Sequence, residues 1–204
     1  LNPLPLFPLR SVLFPGSLLP LKVFEARYLD LMSRCMREQK SFGVVCITDG
    51  AEVGKQSLRF ERAGTLAHLR DVDAEGANIL RVQCLGGQRF EFDGAASQDA
   101  SGVWQVNVQL LPDDDPLPPE ATHDDVVQAL RHLVSQLDAK GQYPFAAPYA
   151  FDNAAWVANR WCELLPLGTE DKQRFMSLDN PLLRLELVAD VLDQTGLAQS
   201  LSGK

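Results

Sequence analysis

The chain has 204 residues, of which 46% are apolar and 23% charged. That is the balance of a folded globular protein, and it excludes intrinsic disorder, collagen-like repeats and coiled coils. A chain of this length buries about 70% of the surface its unfolded form exposes, so it needs no disulfide or metal staple. Its 19 basic and 27 acidic residues give a net charge of −8. Residues 1–111 carry 12 of each sign, whereas residues 112–204 carry 7 basic and 15 acidic. Neither part has the basic excess that neutralises phosphates, so nucleic acid is not an expected partner. No apolar run reaches the roughly 20 residues of a membrane span, so a membrane is not expected either. The apolar start is broken by Pro3, Pro5 and Pro8 and lacks a basic lead, so it does not read as a signal peptide. Cys35, Cys46, Cys84 and Cys162 are far apart in apolar surroundings, which reads as buried, reduced thiols in a cytoplasmic protein.

Leu4–Leu9 reads as extended, because its alternate prolines forbid helix. Phe14-Pro15-Gly16 signals a turn, and Ser17–Val23 is a second extended run. Phe24–Gln39 changes period: Tyr28, Leu29, Met32, Cys35 and Met36 recur at three and four, the pattern of an amphipathic helix. Phe42–Thr48 is a continuous apolar run, as in a strand buried on both faces. Gly64–Leu69, Asn78–Leu85 and Arg89–Phe92 read as further strands, with Gly86-Gly87 as a hairpin turn between the last two. Val103–Leu111 closes the set, with Trp104, Val106 and Val108 on one face. Short strands and one early helix predict a small, strongly bent sheet or barrel over residues 1–111.

Residues 112–120, PDDDPLPPE, hold three aspartates and four prolines and read as a stiff, solvated connector. Residues 121–204 read as helical. Asp124–Ala139 carries an apolar stripe, with Gly141 just beyond its end. Asp152 is placed to cap a helix that buries Ala155, Ala158, Trp161, Cys162 and Leu165. Thr169 is placed to cap a short helix, Glu170–Ser177, whose first turn is acidic. Asn180-Pro181 reads as an N-cap followed by proline at the first helical position, and Gly196 as the residue that ends the last helix.

No chemistry-bearing signature occurs. There is no G-x-x-x-x-G-K-[ST] loop, no G-x-G-x-x-G and no G-x-S-x-G. Three scattered histidines and four lone cysteines do not supply the recurrent spacing of a metal site. Asp113-Asp114-Asp115 lacks the alternation and glycine turn of a calcium loop. The residues by themselves lead to a β-rich module followed by a helical module, without enzymatic activity, cofactor or metal.

The motifs of the first 32 residues go further. Pro5, Phe7-Pro8-Leu9, Phe14-Pro15-Gly16, Leu19-Pro20-Leu21 and Phe24-Glu25-x-Arg27-Tyr28 together resemble the start of the Lon protease N-terminal, substrate-binding domain. Phe42-Gly43-Val44-Val45, Gly64-Thr65-Leu66-Ala67 and Gly87-x-Arg89-Phe90 match its later strands. Ala158-Asn159-Arg160, Leu164-Leu165-Pro166-Leu167, Lys172-Gln173 and Arg184-Leu185 match its helical part. The resemblance spans residues 4–192 and is to a stand-alone bacterial member, since the sequence contains neither the ATPase nor the protease part. It implies an α+β fold: a PUA-like, curved β pseudo-barrel with one early helix, followed by an α-helical bundle. Glu25 and Arg27 read as a charge pair that fixes the helix against the sheet. The stretch from Asp49 to Ala63 is longer and more polar than the hairpin the family has there.

The function this resemblance implies is a non-catalytic module that binds unfolded or apolar polypeptide segments, with self-association as a further possibility. Phe7, Leu13, Phe14, Leu18 and Leu19 are the candidate peptide-binding residues, with plain core packing as their alternative. RNA or small-ligand binding through the barrel is the rival reading. A hydrolase using His68 with a carboxylate is the third.

Overall fold

A computed structural model describes residues 3–50, 52 and 58–196. It divides into two units, Leu1–Asp113 and Asp114–Lys204. The first unit runs β1 (Leu4–Leu9), β2 (Leu18–Val23), α1 (Ala26–Glu38), β3 (Phe42–Asp49), β4 (Arg59–Gly76) and β5 (Ile79–Glu91). Three short strands follow, β6 (Ser97–Gln98), β7 (Trp104–Val106) and β8 (Gln109–Leu110). One sheet joins them in the order β2-β5-β4-β3-β1-β7-β6, with β8 added to β5. β1 and β3 pair in parallel. Parallel neighbours need a crossover, and here β2 and α1 provide it.

The sheet curls strongly. Phe60 of β4 meets Trp104 of β7 edge-on, with ring centroids 5.5 Å apart. β3 and β1 lie between those strands, and in a flat sheet their backbones would stand about 14 Å apart. The curl gives each face a core. Phe7, Val44, Ala67, Val82 and Cys84 pack with Tyr28, Leu31, Met32 and Cys35 of α1 on one face. Leu6, Val45, Phe90, Phe92 and Val106 fill the other. The continuous burial of Phe42–Ile47 follows from having both faces covered. Close approach also explains Gly64. A Cβ there would lie 2.3 Å from the Val44 carbonyl oxygen and 2.8 Å from the Phe90 ring.

Gly86-Gly87 is not a turn. β5 continues through it with a shift of register against β4, and β4 and β5 form one long hairpin that turns at residues 77–78. Asn78, at φ 85°, supplies the left-handed backbone there. Gly86 is needed because a Cβ there would lie 2.3 Å from the Phe14 carbonyl oxygen, whereas at Gly87 it would meet the tip of the exposed His68 ring, which can turn aside. The final run is likewise two short strands, β7 on β1 and β8 on β5. Part of the polar stretch from Asp49 to Ala63 (residues 51 and 53–57) lies outside the described residues, and β4 begins at Arg59. The Glu25–Arg27 pair forms at 2.9 Å. Arg27 also donates to the Gly102 carbonyl (3.1 Å) and lies over the Tyr28 ring, so it ties the β6–β7 turn to the start of α1.

The second unit contains a short 3-10 turn (Ala121–His123) followed by α2 (Asp124–Ala139), α3 (Ala154–Leu164), α4 (Thr169–Ser177) and α5 (Pro181–Thr195). Asn153, rather than Asp152, caps α3 by accepting the Trp156 amide, and Gly168, rather than Thr169, occupies the N-cap of α4. Trp161 donates to the Val126 carbonyl at 3.1 Å and joins α3 to α2. The aspartate-rich stretch is only partly solvated. Asp114 accepts two bonds from Arg184 at 2.6 and 3.2 Å, and the two side chains are 8% and 1% exposed. Arg184 also donates to Asn159 and to the Phe175 and Leu178 carbonyls. This buried guanidinium is therefore fully partnered. Leu117 accepts the Ala154 amide at 2.8 Å, which straps the same stretch to the start of α3.

Two stability outcomes follow from this geometry. Asn180 accepts the Leu182 and Leu183 amides at 3.0 and 3.1 Å. Asn180→Ala should therefore cost about 1 kcal/mol and Asn180→Gly a few tenths, read from urea midpoints. Gly64→Ala should cost about 1–3 kcal/mol through the clash with the Val44 carbonyl. An unchanged thermal midpoint would contradict the close approach.

Candidate functional site

The crossover that puts β1 beside β3 leaves β2 bonded to β5 alone. A seam therefore opens between β1 and β2. It holds a cavity of about 310 Å³, lined by Phe7 and Leu9 of β1, Ser11, Leu19–Val23 of β2, Phe24, Glu25 and Tyr28 at the head of α1, and Glu52. Phe7 stacks on Tyr28 with centroids 4.2 Å apart and forms the rigid floor. Phe24, at the mouth, is 50% exposed. Two of the three rim charges are paired with another side chain. Glu25 is held by Arg27, Lys22 lies 3.4 Å from Glu75, and Glu52 accepts the neutral Arg10 amide. What remains is a trough of aromatic and aliphatic side chains with the Glu52 carboxylate at its rim.

Of the five residues expected from the sequence, the structure brings Phe7 and Leu19 together in this cavity. Leu18 is half-buried on β2 and does not line it. Leu13 and Phe14 are core residues, 4% and 0% exposed. The Leu13 carbonyl accepts the Thr65 hydroxyl at 2.6 Å, and the Phe14 carbonyl lies against Gly86. Neither lines the cavity, and both pack within the fold. The cavity adds Leu9, Leu21, Phe24 and Tyr28, which the sequence reading did not single out as a site. Leu9 and Leu21 meet only because of the long-range strand order, which no local pattern announces. Phe24 directly precedes the Glu25-x-Arg27 block, and an aromatic residue placed there is the one local signal that could have found it.

The remaining candidate chemistry is not assembled. His68 is exposed beside Asp71 in a depression of about 510 Å³ near the end of α1. It forms no hydrogen bond with a carboxylate among the described residues, so the hydrolase reading has no dyad to stand on. No group of three or more His, Cys, Asp or Glu among those residues could hold a metal ion. No described helix is long and apolar enough to cross a membrane. All four cysteines are free and buried. Burial pushes the Cys84 and Cys162 thiols up to about 12 and raises Cys35 as well. None of these three is a thiolate nucleophile near neutrality. Burial also raises the Tyr28 phenol to about 12, opposed by Arg27 and assisted by Glu25.

The family model for the ATP-dependent protease La (Lon) substrate-binding domain matches residues 3–194. The chain belongs to that family. Among solved structures it is similar to a Lon N-terminal domain protein from Xanthomonas campestris, at 30% identity and a TM-score of 0.75, with 93% of this chain and 98% of that one covered. The N-terminal domain of Mycobacterium avium complex Lon protease shares the fold at 12% identity and a TM-score of 0.60, covering 93% and 97%. Among curated proteins it is similar to cereblon from Danio rerio, 25% identical over 111 residues, which is 54% of this chain and 26% of cereblon. Cereblon from Gallus gallus is 24% identical over 102 residues, or 50% and 22%. The chain thus spans about a quarter of the length of these curated relatives. The α+β architecture of a Lon N-terminal domain is present throughout.

The raised groups set an alkaline limit on this Lon-type fold. A thiol or phenol whose proton is held more tightly in the folded state stabilises that state below its unfolded value. The contribution disappears as pH rises through the folded value. From the ordinary thiol and phenol values of 9.0 and 10.0 up to about 12, stability should fall steadily. Urea midpoints measured across this range check it, and a flat profile would contradict it. A thiol reagent at about pH 8 should label none of the four cysteines until the protein is denatured.

Proposed function

We propose that this chain is a substrate-recognition module that captures unfolded, apolar polypeptide segments in the seam between β1 and β2. The single observation that carries this reading is the trough of aromatic and aliphatic side chains floored by Phe7 and Tyr28 in a member of the Lon substrate-binding family. The trough presents aromatic and aliphatic surface and no reacting group. The module therefore binds and releases by mass action, without a cofactor and without turnover. Four buried free thiols suit a reducing, cytoplasmic setting. The even charge of residues 1–111 offers little counterion release, which disfavours the RNA-binding rival.

The test is fluorescence anisotropy with capped ten-residue peptides rich in phenylalanine, valine and leucine. A flexible ligand loses conformational entropy on docking, so the dissociation constant should be on the order of micromolar. It should change little between about 0.05 and about 0.5 M salt, because apolar contact drives it. Phe24→Ser should weaken binding about ten-fold, the loss expected for one exposed aromatic anchor, while the circular dichroism spectrum stays unchanged. Binding that disappears in salt, or none at about 100 micromolar protein, would overturn the reading.

A further inference from the structure

The trough has one wall that is not made of side chains. We infer that β2 captures its ligand by strand addition, and that Pro20 sets the register and the chemistry of the segment accepted. This inference rests on the recognition role proposed above.

The argument begins from hydrogen-bond parity. β2 runs antiparallel to β5 with Leu18 opposite Leu85, Pro20 opposite Gln83 and Lys22 opposite Arg81. Just before this run, the Gly86 amide donates to the Ser17 carbonyl at 2.9 Å. Ser17 and Gly86 are therefore a hydrogen-bonded pair, and bonded pairs alternate along an antiparallel ladder. Leu19, Leu21 and Val23 must then direct their backbone groups at β5. Leu18, Pro20 and Lys22 direct theirs away from it. Proline in this position agrees, since it has no N–H to give the ladder. β2 ends the sheet order, so no strand among the described residues covers that outer row. It offers carbonyls at Leu18, Pro20 and Lys22 and amides at Leu18 and Lys22 only.

An extended segment laid beside this row would satisfy groups that otherwise face water, in the manner of strand-adding recognition domains. Its side chains on one face would enter the trough beside Phe7, Leu21 and Phe24. Charge complementarity limits its chemistry. Glu25 and Lys22 are each paired with another side chain, and the third rim charge is the Glu52 carboxylate, bonded to the neutral Arg10 amide, so an acidic residue buried there would find no counterion. The accepted segment is therefore extended, free of acidic residues over its centre, and free of proline at the three alternate positions whose amides meet the β2 carbonyls. The carbonyl that would face Pro20 finds no donor, and this marks the register. The occupant is not a second β2. In the symmetric antiparallel register Pro20 would face Pro20, two carbonyls would lack donors and the Lys22 residues would flank them.

The experiment uses a fluorescein-labelled, capped peptide of Phe, Val and Thr residues, N-methylated at one amide at a time, with the intact chain. Expected is an alternating pattern: three amides two residues apart at which methylation weakens binding by about ten-fold or more, separated by positions that change it less than about two-fold. On the protein, Lys22→Pro removes an outward amide without touching the β2–β5 ladder and should weaken binding about ten-fold. Lys22→Gln, the charge control, should leave binding near its original value, and Pro20→Val, which adds a donor, should tighten it several-fold. Thermal midpoints confirm that each variant is folded. Binding with no alternation in the methyl scan, or with Lys22→Pro and Lys22→Gln equally affected, overturns strand addition and leaves apolar recognition intact. No binding by the unmethylated peptide overturns both. A dimer that forms in sedimentation and is lost in Lys22→Pro would assign the edge to a second copy and overturn the inference too.

Discussion

The parallel pairing of β1 with β3 is the constraint on which the first unit depends. Two strands that follow one another closely in sequence would ordinarily form a hairpin. Here the prolines at 5 and 8 and the turn at Phe14-Pro15-Gly16 carry the chain away from β1, and β2 joins β5 at the far end of the sheet. Every distinctive feature of the unit follows. The sheet must curl for its two cores to close, α1 must pack over the crossover, and β1 and β2 face each other across a gap that neither fills. The trough is what this strand order leaves open between them.

This dependence also explains what could be read from the sequence. Features set by near neighbours were legible. The helical stripe from Tyr28 to Cys35, the Asn180-Pro181 start of α5 and the left-handed Gly196 at its end each involve atoms a few residues apart, and the structure shows all three. Features set across the sheet were not. Gly86-Gly87 reads as a turn because glycine pairs make turns, but the demand at Gly86 comes from the Phe14 carbonyl, distant in sequence. Leu13 and Phe14 read as candidate surface because they flank a turn, but the curl folds that turn into the core. Asp114 reads as solvated because its neighbours are aspartate and proline, while its partner Arg184 lies 70 positions away. At the proposed site, Phe7 and Leu19 of the expected residues line the cavity, and Leu9 and Leu21 join them through strand order.

The proposed recognition role and the lack of assembled chemistry among the described residues have a common physical basis. Of the ionisable groups that line the trough, Glu25 and Lys22 are paired with another side chain and Glu52 is bonded to a backbone amide. The Cys35, Cys84 and Cys162 thiols are deep enough to hold their protons. What the trough presents to its surroundings is aliphatic area, one exposed aromatic ring and an unfinished row of backbone groups. None of these selects a particular sequence strongly. Selectivity of that kind suits the proposed capture of many unfolded chains and the rejection of folded ones, whose apolar residues and backbone groups are already engaged.

The bond between Asp114 and Arg184 bears on how the chain can be divided. Composition places the end of the linker at Glu120, and a protease or an engineer guided by exposure would cut within the proline-rich stretch. A helical fragment beginning at residue 121 would lose Asp114 and leave the Arg184 guanidinium buried without its counterion, a loss of about 3–5 kcal/mol. It would also lose the Leu117 carbonyl that holds the first amide of α3. The smallest autonomous helical piece therefore begins at or before Asp114, and cleavage anywhere between Asp114 and Leu117 would loosen the helices as well as sever the linker.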